Sequence, residues 1–358
     1  MSGRDPDAIV VGAGIVGLCV ATAVARKGLS VVLVSESRKG EASSAAAGML
    51  APSVERADGP AHDFAVAARD LYPSYLERLA DDVGIRVPLN ELGVLQVALT
   101  ERGMRGLQKA AGPESEWLDR TELTRTEPAL GHALGAVVNP GDGAVDNVVL
   151  MAALTELAAM LPGIRRLDGS VVSVSQNAAS QSVTLRSGES LDAMWVVLAP
   201  GAWGSYIRGA PALRVVTPSR GQLVSFEPVG LRHVVYGPRG YVVPRAKGPT
   251  IAGSTMENVG FEASTTAQGI AHVRSAAEEI APALAVSPVA SAWAGLRPVT
   301  PDMLPLLGQD AERPGLVYAC GHSRNGILLA PLTGDVVAAI VSGGTVGHDL
   351  AQFRPARF

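Results

Sequence analysis

The segment from Asp7 to Glu36 reads as strand, glycine-rich turn, helix, strand, and it constrains the fold more than any other stretch of the chain. Ala8 to Val11 is a short apolar run of strand type, and Gly12, Gly14 and Gly17 follow it in the spacing G-x-G-x-x-G. In that pattern the first glycine permits a tight turn and the second lets a pyrophosphate approach the backbone. The third lets helix and strand pack closely. Ile15, Leu18, Ala21 and Ala25 belong to a helix that is apolar almost all round, so burial is expected. Lys27 suits its C-terminal dipole, and Gly28 suits a left-handed cap. Ser30 to Val34 makes a second strand leading to Glu36. An acid at that place binds both hydroxyls of an adenosine ribose and repels a 2′-phosphate. Strand, triplet, helix, strand and acid in register point to dinucleotide binding, with a nucleotide-free α/β turn as the alternative.

A chain of 358 residues has room for two domains with sizeable cores. With 47% hydrophobic and 18% charged residues it reads as globular, and a formal net charge of -4 gives no electrostatic reason to expect nucleic acid. Cys19 and Cys320 lie far apart with no metal-ligand spacing, and Cys19 falls inside the apolar first helix. Met1 to Asp7 is polar, and no apolar run is long enough for a membrane span, so a cytoplasmic protein without membrane partner is expected.

Beyond Glu36, Ser43, Ser44 and the alanines before Gly48 form a small-residue segment that lets backbone approach a phosphate or planar ring. Its plainer reading is a tightly packed helix start. Ala61 to Val83 has helical spacing, with Pro73 expected to kink it or start a new piece. Gly93 to Leu99 reads as a strand, and the charged stretch to Glu127 as mostly helical. Gly131 to Asp146 reads as loops and short strands, and Asn147 to Leu161 as a helix N-capped by Asn147. Val171 to Val174 and Val183 to Leu185 read as a hairpin. Trp195 to Leu198 reads as a buried parallel strand ending in small residues. Gln222 to Phe226, His233 to Tyr236, Tyr241 to Pro244 and Thr250 to Ala252 read as a mostly antiparallel sheet, followed by a helix over Ala267 to Leu284. From Trp293 to Ile340 the first domain's character returns, with a strand at Leu316 to Ala319 and a helix at Ile327 to Ile340.

Residues at loops and strand ends carry the candidate chemistry. Arg297 stands among apolar residues and needs an anion, either a ligand or Asp302 in a structural bridge. The loop Gly321 to Gly326 runs into an apolar helix whose positive end can stabilise negative charge on a ring or carboxylate. Tyr241 and Met256 are further candidates, each with a plain packing alternative. No Ser-His-Asp, Cys-His or H-E-x-x-H spacing occurs and no loop gathers metal ligands. Cationic anchors without acid, base or nucleophile suggest that a cofactor does the chemistry.

Taken together, these stretches resemble the D-amino-acid-oxidase-type family of FAD-dependent oxidoreductases, and within it the glycine oxidase branch of thiamine biosynthesis. The carriers are GAGIVG with Glu36, SSAAAGMLAP at 43–52, VVLAPGAW at 196–203, GYVVPR at 240–245, AGSTM at 252–256, WAGLRP at 293–298 and GHSRNGILLAP at 321–331. The resemblance implies an α/β fold in which a Rossmann-like FAD-binding domain (1–85, 145–215 and 290–358) is interleaved with an antiparallel-sheet substrate domain (86–144 and 216–289). It implies that Gly12, Gly14, Ile15, Val16, Gly17, Glu36 and Ser37 hold the diphosphate and ribose, and that Val171 holds the adenine. Ser44, Ala47, Gly48 and Met49 would line the flavin, with His322, Ser323, Arg324, Asn325, Gly326, Ile327 and Leu328 around its pyrimidine edge. Arg297 would bridge to a substrate carboxylate, with Arg324, Tyr241 and Met256 closing a small pocket. Ser323 departs from the branch, which carries a bulky aromatic there, and the smaller side chain would enlarge the entrance.

The implied reaction is oxidative deamination of glycine or another small amino acid. The Cα hydride passes to flavin N5, an imine leaves, and O2 is reduced to H2O2. The imine would supply thiamine thiazole synthesis, and sarcosine and small D-amino acids are further substrates to expect. Two other readings stay open: a D-amino acid or sarcosine dehydrogenase with another acceptor, and a non-catalytic flavin-binding subunit. A homo-oligomer is also compatible with the sequence. With no cysteine or histidine placed for covalent attachment, FAD is expected to be non-covalent. The purified protein should then be yellow, and acid or heat should release FAD into the supernatant. Colour retained by the precipitate, or stoichiometric bound NAD, would contradict this.

Overall fold

The six-stranded sheet of a computed structural model carries the segment on which the sequence argument rests. Its strand order is Leu306–Gln309, Leu316–Cys320, Trp195–Leu198, Ala8–Val11, Val31–Ser35, Ile164–Asp168. All neighbours are parallel except the first pair. The structure describes residues 5–55, 57–177 and 180–358; the polar residues ahead of Asp5 lie outside it.

The alternation of side chains along each strand explains why this sheet is apolar throughout. Ala8, Val10, Val31 and Leu33 point into a core shared with helices Ile15–Arg26, Pro60–Asp70, Tyr72–Val83, Asn147–Met160 and Gly326–Val341. Ile9, Val11, Val32 and Val34 point the other way, into a core closed by the antiparallel strands Val171–Gln176, Gln181–Leu185 and Ser190–Ala193. The first helix is buried along most of its length, as its composition requires. Gly12 has φ +103°, and a Cβ there would run into the carbonyl oxygen of Ala199. A Cβ on Gly17 would strike the carbonyl oxygen of Gly12, so helix and strand meet backbone to backbone. The last helix meets the first in the same way, since a Cβ on Gly334 would stand 2.7 Å from the carbonyl oxygen of Cys19.

The second layer is an eight-stranded sheet in the order Val289–Val299, Thr217–Phe226, Thr250–Gly253, Tyr241–Pro244, Val234–Tyr236, Val94–Ala98, Gly135–Asn139, Glu116–Asp119. It is antiparallel except where Val234–Tyr236 meets Val94–Ala98. Helix Ala267–Ile280 packs on it and ends before Pro282, shorter than the expected run to Leu284. A small sheet of Met49–Leu50, Gly143–Val145 and Leu89–Asn90 joins the two layers. No helix among the described residues is long and apolar enough to cross a membrane.

Three local expectations are corrected. Glu116–Asp119, read as helical, is an edge strand, because pairing with Gly135–Asn139 overrides its polar composition. Asp146, rather than Asn147, caps helix Asn147–Met160, its side chain accepting from Val148 and Val149. Val289–Val299 pairs along its length with Thr217–Phe226, so the stretch around Trp293 and Arg297 lies in the eight-stranded sheet and not in the parallel one. Pro73 does start a new piece, standing in the first turn of Tyr72–Val83.

A buried carboxylate gives this fold a pH signature. Asp142 is 1% exposed; one oxygen accepts from Ser53 (3.1 Å) and Arg69 (3.2 Å), and the other has no partner among the described residues. Burial pushes its carboxyl from 3.8 up to about 6. Because the folded value lies above the unfolded one, its favourable contribution is present below about 3.8 and is lost as pH rises through about 6. The melting temperature of Asp142→Asn relative to wild type should therefore improve between pH 4 and pH 7, by melts across that range. A flat difference would mean that Ser53 and Arg69 fully compensate the buried charge.

Candidate active site

A cavity of about 680 Å³ opens at the carboxyl ends of the parallel strands and is walled on its far side by the eight-stranded sheet. Gly12, Gly14, Ile15 and Val16 line it at the start of the first helix. Its N-cap residue, Gly14, has no side chain to cap it and its first turn holds no acid, so no carboxylate of the first turn offsets the positive end at the cavity. Ser43 Oγ accepts the Ile15 N–H at 3.0 Å, tying the small-residue segment to the helix start. Gly17 does not line the cavity; its place is against Gly12.

Glu36, Ser37 and Val171 line one end. Glu36 is not a free carboxylate there: Arg38 donates to one oxygen at 2.7 Å and Arg186 to the other at 3.5 Å. Both guanidiniums also donate to Ser170 Oγ, and Arg38 stands 5.6 Å from the centre of the Trp203 ring. The sequence reading missed these arginines, which offset the charge expected to repel a 2′-phosphate. Arg186 comes from the distant antiparallel unit, and no local pattern signals it.

Ala47, Gly48 and Met49 line the middle of the cavity, whereas Ser44 is exposed and outside it; Ser43 is the serine that faces in. Opposite them are His322, Ser323, Arg324, Gly326 and Ile327. Asn325 and Leu328 are not in the wall: the Asn325 N–H donates to the His322 carbonyl, and Leu328 is buried in the core. The helix Gly326–Val341 likewise has no capping side chain among the described residues and no acid in its first turn. Burial pushes His322 down to about 4, leaving it neutral, with Nε2 3.1 Å from Thr333 Oγ1. Ser323 is buried with φ 52° and donates to the Gly321 carbonyl. Its small side chain belongs to the cavity wall, not to an entrance.

Arg297 reaches in from strand Val289–Val299. Its guanidinium donates to the Thr255 carbonyl (3.1 Å) and Ser254 Oγ (2.6 Å) and has no carboxylate partner among the described residues. It lies over Gly221, where any Cβ would displace it. The alternative bridge to Asp302 is not made, since Asp302 pairs with Arg357. Tyr241 lines the cavity beside Tyr236, their ring centres 5.9 Å apart. Arg324 donates to Glu55 at 2.8 Å and to the Tyr236 hydroxyl. Met256 is 55% exposed and outside the wall, although its neighbours Ser254 and Thr255 hold Arg297. Glu55 and Tyr236 were not singled out from sequence: Glu55 stands in no patterned stretch, and Tyr236 ends a run read only as a strand.

A sequence model described as FAD dependent oxidoreductase (DAO) matches residues 7–340. The chain is 34% identical to the bifunctional protein ThiO/ThiG of Synechocystis over 98% of its own length, yet it spans about half (54%) of that relative. It is also 34% identical to the glycine oxidase of Geobacillus kaustophilus, over 98% of this chain and 97% of the relative. The crystal structure of glycine oxidase from Geobacillus kaustophilus matches with a TM-score of 0.92 at 32% identity, covering 99% of this chain and 100% of that one. Glycine spacing, two helix starts on one cavity and a matching family model over most of the chain lead to one conclusion: the chain belongs to the family of FAD-dependent oxidoreductases.

Proposed function

We propose that this chain oxidises glycine, or an amino acid of similar size, to the imine with FAD as electron acceptor and O2 as final oxidant. The imine would feed thiamine thiazole synthesis. The observation that carries this reading is Arg297, a guanidinium in the cavity wall held by neutral groups and left without a counter-ion among the described residues. A desolvated guanidinium recruits a carboxylate, and its fork geometry fixes the orientation of that carboxylate. The similarity to glycine oxidases over nearly full length supports a small amino acid as the source.

The residues present fit FAD. Two helix N-termini with no acid in their first turns face one cavity, suiting a diphosphate at Ile15 and Val16 and an electron-rich ring edge at Gly326 and Ile327. Glu36 would take the ribose hydroxyls, oriented by Arg38 and Arg186. Ala47, Gly48 and Met49 would face the ring. The parallel sheet would thus carry the cofactor and the eight-stranded sheet the substrate anchor. When bound, FAD accepts the two electrons that the substrate C–N unit loses. Arg297 holds the carboxylate, Tyr241 walls a pocket for a small Cα substituent, and neutral His322 adds no charge beside the helix start. Positioning is the main contribution of these side chains, and none is required as a base.

Glu36→Ala should lose about 1.5–3 kcal/mol of FAD binding, shedding cofactor on dilution and regaining turnover with excess FAD. Retention as tight as wild type, measured by equilibrium dialysis, would take Glu36 out of the ribose site. Arg297→Ala should keep FAD and a normal visible spectrum while peroxide production from glycine collapses. Removing one partner of a desolvated charge pair costs about 2–5 kcal/mol. Arg297→Lys should recover only part, since an ammonium cannot reproduce the fork. Normal glycine turnover by a folded, FAD-loaded Arg297→Ala would refute the anchor and move the search to Arg324.

A further inference from the structure

The two guanidiniums on the substrate side of the cavity differ in electrostatic state. Arg297 has only neutral partners among the described residues. Arg324 is already neutralised, its guanidinium bound to the Glu55 carboxylate at 2.8 Å and to the Tyr236 hydroxyl. Glu55 ends the short helix Pro52–Glu55, which is fixed from behind by the bond from Ser53 to buried Asp142. Its side chain is 15% exposed and lies within electrostatic reach of Arg297 as well as Arg324. The Arg324 side chain is the more open of the pair, at 38%.

This arrangement separates substrates by charge. A molecule with one carboxylate needs only Arg297. A molecule with a second anionic group would need Arg324, and there it meets a carboxylate that already occupies the guanidinium. Selection by an unfavourable charge is effective because the wrong ligand must either break an ion pair or tolerate like charges in contact. We propose that Glu55 is a specificity-determining residue of this site, holding Arg324 in an ion pair and so excluding substrates that carry a second anionic group. The inference rests on Arg297 as the carboxylate anchor.

The test compares ligands with one and two carboxylates on the FAD-loaded protein. Glycolate and diglycolate, which lack the amine, are titrated by their effect on the flavin absorption spectrum, alongside turnover of glycine and iminodiacetate. Glu55→Gln should raise affinity for diglycolate relative to glycolate by about tenfold, and the turnover ratio should move the same way through KM. Arg324→Ala should do the opposite, because Glu55 is left as an unpaired anion, and in the double variant the gain of Glu55→Gln should vanish. Unchanged ratios, or equal losses for both ligands, would overturn the proposal and leave the pair a structural bridge. If Glu55→Gln does not hold FAD, Arg324→Ala alone decides: a falling ratio supports the inference and an unmoved one ends it. Glycolate binding that survives Arg297→Ala would overturn the anchor and this inference together. Loss of glycolate binding there with unmoved ratios at Glu55 would overturn this inference alone.

Discussion

The contact between the Gly17 position and the carbonyl oxygen of Gly12 is the constraint from which the cavity follows. Without side chains at either place, the first helix can lie directly on the end of the central strand, and the Ala199 carbonyl can close in from the neighbouring strand. Backbone amides at the helix start are thereby presented at the carboxyl edge of the sheet, with no side chain of the turn between them and a ligand. A single methyl at Gly17 would separate helix from strand and spoil the cradle without touching any ligand-facing residue.

Charge in the cavity is arranged around that frame. Two helix starts and several guanidiniums make it electropositive, and two carboxylates nearby are committed to cations. Glu36 is shared between Arg38 and Arg186, and Glu55 is bound to Arg324. Arg297 has only neutral partners among the described residues, and its orientation comes from Ser254 and Thr255. Those residues are held in turn, since Thr255 Oγ1 accepts the Gln222 N–H and donates to Glu257, which also binds Arg220. The guanidinium is thus aimed before any ligand arrives, which lowers the entropy lost on binding.

Much of this was legible in the sequence because it depends on local pattern. The strand from Ala8, the buried helix from Ile15, the strand at Trp195 and the helix at Gly326 are each set by hydrophobic period and flanking glycines, and with the loops at their ends they frame one side of the cavity. What was not legible depends on partners far away in the chain. Glu116–Asp119 is polar enough for a helix and becomes a strand only because Gly135–Asn139 lies alongside. Ser43 and Ser44 cannot be told apart until the segment has docked on Ile15. Arg186 and Glu55 occupy unremarkable surroundings and acquire meaning from Glu36 and Arg324 across the fold. Met256 stands beside the residues that matter while its own side chain turns to solvent.

The contact of Gly334 with the Cys19 carbonyl has a consequence for cofactor choice. It locks the first and last helices together at mid-length, and both begin at the cavity. Their positive poles are therefore held at a spacing that side-chain motion cannot adjust, much as the jaws of a caliper are set by its beam. A molecule that presents anionic or electron-rich groups at both settings gains from the whole device.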